Sequence, residues 1–197
     1  MTLDRLRPYV GDLLSPAIAG AARLNLTPNF FSAIALIAAF AAGGAFYFGE
    51  IAWGVLLVAV NAVFDAMDGA LARELEVASL RGDFIDHVAD RYADIVIITG
   101  LFAGGAASWQ IGVFALTGVL MSSYMGTQAQ ALGVGRYYGG ILGRADRLVL
   151  LIIAGLLDLI FAAPVYGLPY LGWLLVIYGV FGHYTALQRI VYIWKQL

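Results

Sequence analysis

Asp65, Asp68, Asp86 and Asp90 are the side chains best placed in this chain to do chemistry. On helices, Asp65 and Asp68 are three residues apart and Asp86 and Asp90 four apart, so each pair shares one helix face. Two such faces turned toward each other predict a four-carboxylate cage. An oxygen-only ligand set of that kind suits a hard divalent cation, Mg²⁺ or Mn²⁺. Gly69 lets a ligand approach the backbone closely, and Arg73 offers a planar fork to phosphate.

The acids sit in a chain of 197 residues that is 62% hydrophobic and 12% charged, with a mean hydropathy of +0.86. That composition is far from a soluble domain and predicts a single membrane-embedded domain over 1–197. No cysteine is present, so neither a disulfide framework nor a thiolate site is available.

The spans that must position the acids can be read in order. Residues 1–22 carry Leu3, Leu6, Val10, Leu13, Leu14 and Ile18 at helical spacing among Asp4, Arg5, Arg7 and Asp12, which predicts an amphipathic helix in the membrane interface. Thr27-Pro28-Asn29 is a helix start signal. The apolar run from Phe30 to Phe48 is then long enough to cross the hydrocarbon. Further spans are expected from Ile51 to Arg73, Asp83 to Gly105, Trp109 to Gln130, Arg147 to Ala163 and Leu168 to Tyr192. The expected fold is all-α and integral to the membrane, with six transmembrane helices after the interfacial one. Small residues such as Ala42-Gly43-Gly44-Ala45 and Gly104-Gly105 predict close helix packing.

Charge placement agrees with that layout. All 11 Lys and Arg residues fall at the end shared by the two termini, and the opposite turns near 49–51, 104–109 and 163–168 contain none. The positive-inside rule therefore puts the termini and the acids on the cytoplasmic side of the cell membrane. Asp65 and Asp90 lie roughly 10–12 Å inside that end. Acids at such depth call for compensation, which a bound cation supplies most simply. Asp94 and Asn61 continue the acidic faces and are read chiefly as partners in helix-to-helix hydrogen bonds. Asp83 reads as a helix cap, and His87 and His183 as packing residues.

The spacing D-x2-D-G-x2-A-R-x8-G-x3-D-x3-D, complete from Asp65 to Asp90, resembles the signature of the CDP-alcohol phosphotransferases, integral membrane enzymes of phospholipid synthesis. The resemblance implies two Mg²⁺ or Mn²⁺ ions held by Asp65, Asp68, Asp86 and Asp90, with Asp90 also the base for the acceptor hydroxyl. It implies a CDP-lipid site formed by Asp65, Asp68, Gly69, Ala72, Arg73, Ser79 and Gly82, taking CDP-diacylglycerol or CDP-archaeol. A homodimer is implied as well, and no nucleic-acid partner.

The motif says nothing of the acceptor alcohol. Arg136 in the loop, Arg144 and Arg147 at the start of the fifth span and Arg189 on the sixth place guanidiniums near the cytoplasmic mouth, where they suit a second phosphate. The short chain, its opening Leu3-Asp4-Arg5-Leu6-Arg7-Pro8 and the Arg144-Ala145-Asp146-Arg147 stretch most resemble the prokaryotic inositol-phosphate-using branch of the family. Glycerol phosphate is the alternative acceptor. A divalent-cation channel or transporter is the alternative from a different class, since intramembrane acids also mark ion pathways.

Overall fold

The computed structural model describes residues 7–77, 79–135, 137, 139–161 and 163–197, with side chains from residue 14 onward. Among them the chain forms α1 (Arg7–Arg23), α2 (Pro28–Tyr47), α3 (Ile51–Glu74), α4 (Leu80–Ala103), α5 (Trp109–Ala131), α6 (Arg144–Ile160) and α7 (Tyr170–Trp194). The all-α expectation holds, and every expected span has its helix. Leu3, Asp4, Arg5 and Leu6 of the amphipathic segment lie outside the described residues. The rest of that segment is α1, which seats Ile18 and Ala21 on Phe31 of α2 and on Met67 and Leu71 at the end of α3 that carries the acids.

Local chemistry explains where the helices begin. Pro28 occupies the first turn of α2, and Gly49 at φ +78° ends the turn that follows it. α4 starts three residues earlier than expected because Ser79, not Asp83, is its cap: the Ser79 hydroxyl accepts the Gly82 N–H at 3.1 Å, and Asp83 falls in the first turn. α6 likewise starts at Arg144, where the Asp146 carboxylate accepts the Gly143 N–H at 2.9 Å. At the opposite end of the bundle, Asp158 accepts the N–H groups of Tyr170 and Leu171 at 2.6 and 2.9 Å, so the end of α6 caps the start of α7.

α2, α3 and α7 are long and apolar enough to cross a membrane. Large apolar side chains on their outer faces, among them Ile37, Phe40, Leu56, Val180 and Leu187, are exposed, as lipid-facing residues should be. Glycines set the contacts between helices. A Cβ on Gly100 of α4 would collide with the backbone of Gly43 on α2, and one on Gly104 with the Phe46 carbonyl. α5 and α7 meet similarly, where a Cβ on Gly182 would come within 2.6 Å of the Gly118 carbonyl carbon. Lipid offers no hydrophobic drive between helices, so backbone approach of this kind holds the bundle together. It also draws α4 onto α2, beside α3, which brings the two acidic faces together.

Gly44 tests this reading against its neighbour, because a Cβ there meets nothing within 4 Å. Gly44→Ala should leave stability unchanged or raise it by up to about 1 kcal/mol through helix propensity. Gly100→Ala should lower it by about 1–3 kcal/mol through overpacking. Thermal unfolding of the two variants in detergent should shift Tm in opposite directions or separate it by several degrees.

Candidate active site

Asp65 and Asp68 come from the second half of α3, and Asp86 and Asp90 from the first half of α4. One carboxylate oxygen each from Asp65, Asp68 and Asp86 lie within 4.8 Å of one another. That spacing lets these three acids offer oxygens to a single hard divalent cation. The expected four-carboxylate cage is thus divided. Three acids converge on one point, while Asp90 is engaged from the side by Arg144 of α6.

Arg144 is the hinge of the arrangement. Its Nη1 stands 2.7 Å from Asp90 Oδ1, an ion pair whose angle falls short of a hydrogen bond, and donates to the Asp90 main-chain oxygen at 3.0 Å. Its Nη2 donates to Asp65 Oδ1 at 3.4 Å. One guanidinium therefore bridges the three-acid cluster and the fourth acid. Asp68, the most enclosed of the four at 6% exposure, has a neutral partner instead: the Ser32 hydroxyl of α2 donates to its Oδ2 at 2.6 Å. His87 stands 3.6 Å from Asp86 on the same helix, closer to the cluster than a packing role predicts. The four acids, with Ser32, Asn61 and Arg144, line a small recess.

Asn61 and Asp94 take the interhelical roles expected of them. Asn61 donates from Nδ2 to the Ala35 carbonyl at 2.8 Å and pins α3 to α2. Asp94 accepts from Arg147 Nη2 at 2.8 Å, and both side chains are under a tenth exposed. Arg91 joins them, 3.5 Å from Asp94 and 3.7 Å from Asp90. Tyr178 of α7 donates to the Arg147 main-chain oxygen at 2.5 Å, so the ion pair is tied to a third helix.

Gly69 and Gly82 are not packing residues. Among the described residues, a Cβ at Gly69 would meet only Arg73 Nη1, and one at Gly82 only Ser79 Oγ, each at 3.4 Å. Both motif glycines face open space, as a ligand pocket requires, and Arg73 is exposed beside them. Ala72 is half-buried on the same turn. The expected acceptor arginines divide. Arg144 and Arg147 are held by acids as described, and Arg189 is buried, donating to the carbonyls of Gly139 at 2.8 Å and Ser122 at 2.5 Å. Arg136 lies outside the described residues. His183 packs against Phe114, as expected.

Two partners escape a reading by motif. Ser32 precedes Asp65 by 33 positions and lies on another helix, its only mark being a hydroxyl in an apolar run. Arg91 was visible beside Asp90, but nothing in the sequence shows that it reaches Asp94 as well.

A helical bundle with a carboxylate cluster at one end, open glycines beside it and exposed apolar faces along α2, α3 and α7 describes a multi-pass membrane protein with a cation and phosphate site. The chain belongs to the CDP-alcohol phosphatidyltransferase family, whose model matches residues 25–184. It is therefore an enzyme of phosphate-group transfer, and the channel alternative falls away. It is 30% identical to archaetidylinositol phosphate synthase of Methanothermobacter thermautotrophicus over 99% of this chain and 95% of that one. To phosphatidylinositol phosphate synthase of Mycolicibacterium smegmatis it is 34% identical over 90% of this chain and 82% of that one. The crystal structure of Mycobacterium tuberculosis phosphatidylinositol phosphate synthase with CDP-DAG bound matches at TM-score 0.80 and 25% identity, covering 93% of this chain and 94% of that one. The same enzyme in complex with manganese and citrate matches at TM-score 0.80 and 26% identity, covering 91% and 88%.

The Asp94–Arg147 pair generates a prediction about stability. Removing one partner of a buried pair leaves an uncompensated charge and costs about 3–5 kcal/mol. Arg147→Met should destabilise by less than that, since Arg91 still stands 3.5 Å from Asp94, and Asp94→Asn added to it should recover part of the loss. A double-mutant cycle from unfolding in detergent measures the coupling.

Proposed function

We propose that the protein transfers a phosphatidyl or archaetidyl group from a CDP-linked lipid to inositol phosphate, releasing CMP. The observation that carries the reading is the convergence of the motif acids Asp65, Asp68 and Asp86 beside two glycines whose missing side chains nothing else fills.

In this reading Asp65, Asp68 and Asp86, with Asp90, hold Mg²⁺ or Mn²⁺. Such ions, bound in pairs, neutralise a diphosphate and stabilise its leaving oxygen. Gly69, Gly82 and Ala72 admit the cytidine diphosphate, and the exposed Arg73 meets its phosphates. Ser79, occupied as the cap of α4, contributes by shaping the turn that presents Gly82. The acceptor hydroxyl oxygen bonds to the β-phosphorus, the bond from that phosphorus to the bridging oxygen breaks, and CMP departs with the bridging oxygen. Asp90 receives the hydroxyl proton. Arg144 holds Asp90 in place through both its carboxylate and its main chain, which keeps one oxygen oriented.

The phosphate of the acceptor falls to Arg136, Arg147 and Arg189, with Arg144 as a weaker fourth. Support comes from how rigidly the described ones are held: Arg147 by Asp94, and Arg189 by two carbonyls. A dianion entering a partly dehydrated cavity gains most from cations that do not have to be ordered first. Membrane assignment follows the charge pattern. α2 to α7 make six spans, α1 lies in the interface, and both termini and the site face the cytoplasm across the cell membrane. The protein acts as a homodimer.

Two experiments bear on this. Glu50→Cys and Glu76→Cys mark opposite ends of α3 in a chain that has no cysteine. A membrane-impermeant thiol reagent should reach them from opposite faces, position 76 from the cytoplasm, and labelling of both from one face would overturn the topology. For the chemistry, purified protein is given CDP-diacylglycerol or CDP-archaeol, Mn²⁺ or Mg²⁺, and inositol phosphate, free inositol or glycerol phosphate. Inositol phosphate should be the efficient acceptor. Asp90→Asn should abolish turnover while retaining CDP-lipid binding, and Asp65→Asn should lose both. Alanine at Arg136 or Arg189 should raise the acceptor KM about 10–150-fold, the equivalent of one charged hydrogen bond, with donor KM nearly unchanged. Efficient use of free inositol, or preference for glycerol phosphate, would sink the acceptor assignment.

A further inference from the structure

Resting on the metal reading above, we propose that Ser32 is a positioning residue for the cation site, holding Asp68 for one-oxygen ligation and so favouring small octahedral cations over Ca²⁺.

Ser32 Oγ has two acceptors in reach, Asp68 Oδ2 at 2.6 Å and the Pro28 carbonyl one turn back at 3.3 Å. The carboxylate is both nearer and charged, so the proton goes to it. Both side chains are buried, Ser32 at 7% exposure and Asp68 at 6%. Water therefore does not compete for the bond.

The partners of the acids differ in kind. Asp65 and Asp90 share the charge of Arg144, and Asp86 has His87 beside it. Among the described residues the side chain that donates to Asp68 is a neutral hydroxyl. It orients the carboxylate without offsetting its charge, which stays available to a cation. A plain interhelical fastening would not need this acceptor. Asn61 already ties α3 to α2 through the Ala35 carbonyl nearby, and the glycine contacts close α2 onto α4.

The consequence for the ion follows from coordination geometry. A cation taking both oxygens of Asp68 would have to share Oδ2 with the serine proton. One-oxygen ligation leaves that bond intact. Ca²⁺ collects six to eight oxygens and readily uses bidentate carboxylates, whereas Mg²⁺ demands near-ideal octahedral geometry. Ser32, Ala35 and Asn61, all buried, line the recess beside Asp68, so extra oxygen ligands for a larger ion have little room among them.

Full-length protein in detergent is titrated with Mn²⁺, following the free-ion EPR signal, alone and in competition with Ca²⁺. Wild type, S32A and S32T are compared, with Tm of the metal-free proteins recorded beside them. S32A should weaken Mn²⁺ binding about 10–100-fold, the usual effect of losing a residue that orients a metal ligand, and should narrow the preference for Mn²⁺ over Ca²⁺. S32T keeps the donor and should bind as wild type does. An S32A titration that overlays wild type overturns the proposal. So does an equal loss for both cations accompanied by a lower metal-free Tm, which is the mark of a fastening between helices. Absence of Mn²⁺ binding by wild type would instead overturn the metal reading itself, and this inference with it.

Discussion

A carboxylate within a lipid-embedded helix bundle needs a partner at every moment, and this requirement governs the arrangement of the whole site. A charge at the centre of a spanning helix costs roughly 2.5–3.5 kcal/mol on insertion scales even when it stands alone. Here five acids of α3 and α4 are grouped together, and each has a partner. The partners come from α2, α4 and α6. The charge problem is therefore solved by the fold and not by any one helix, and the bundle must be assembled before the acids are satisfied.

Assembly in turn depends on the glycines. Arg144 can bridge Asp65 and Asp90 only if α6 approaches both α3 and α4, and Ser32 can reach Asp68 only if α2 lies close against α3. The backbone contact between Gly43 and Gly100 sets the spacing of α2 and α4 at a value that larger residues would forbid. Packing and chemistry are thus coupled through distances of a few tenths of an ångström.

Much of this was legible in the sequence, for definite reasons. The helices could be read because apolar runs of spanning length were broken by Gly49, Pro28 and the polar turns. The pairing of Asp65 with Asp68 and of Asp86 with Asp90 could be read because i, i+3 and i, i+4 spacings place side chains on one face regardless of context. What escaped were the particular partners that depend on which helix neighbours which. Arg144, grouped by position with arginines for a second phosphate, proves to be the ion-pair partner of Asp65 and Asp90. Ser32, a single hydroxyl in an apolar helix, carried no spacing signal at all. Asp83 looked like a cap because an acid near a helix start usually is one, yet Ser79 took that place and moved the boundary of α4 by three residues. Local rules found the elements, and non-local contacts chose the partners.

The clamp at the far end of the bundle bears on how this fold tolerates change. Asp158 takes the first two N–H groups of α7 into one carboxylate, so a side chain of α6 holds the start of α7 directly, beside the bond that Trp173 of α7 donates to the Val165 main-chain oxygen in the connection. Residues 161–169 are left to close a gap whose ends are already fixed, and loop-closure entropy grows only slowly with length. Insertions there leave the helices where they are. Since Arg147 and Arg189 stand toward the other ends of those helices, this connection can lengthen, shorten or acquire a new surface while the end of the molecule that carries the acids keeps its shape.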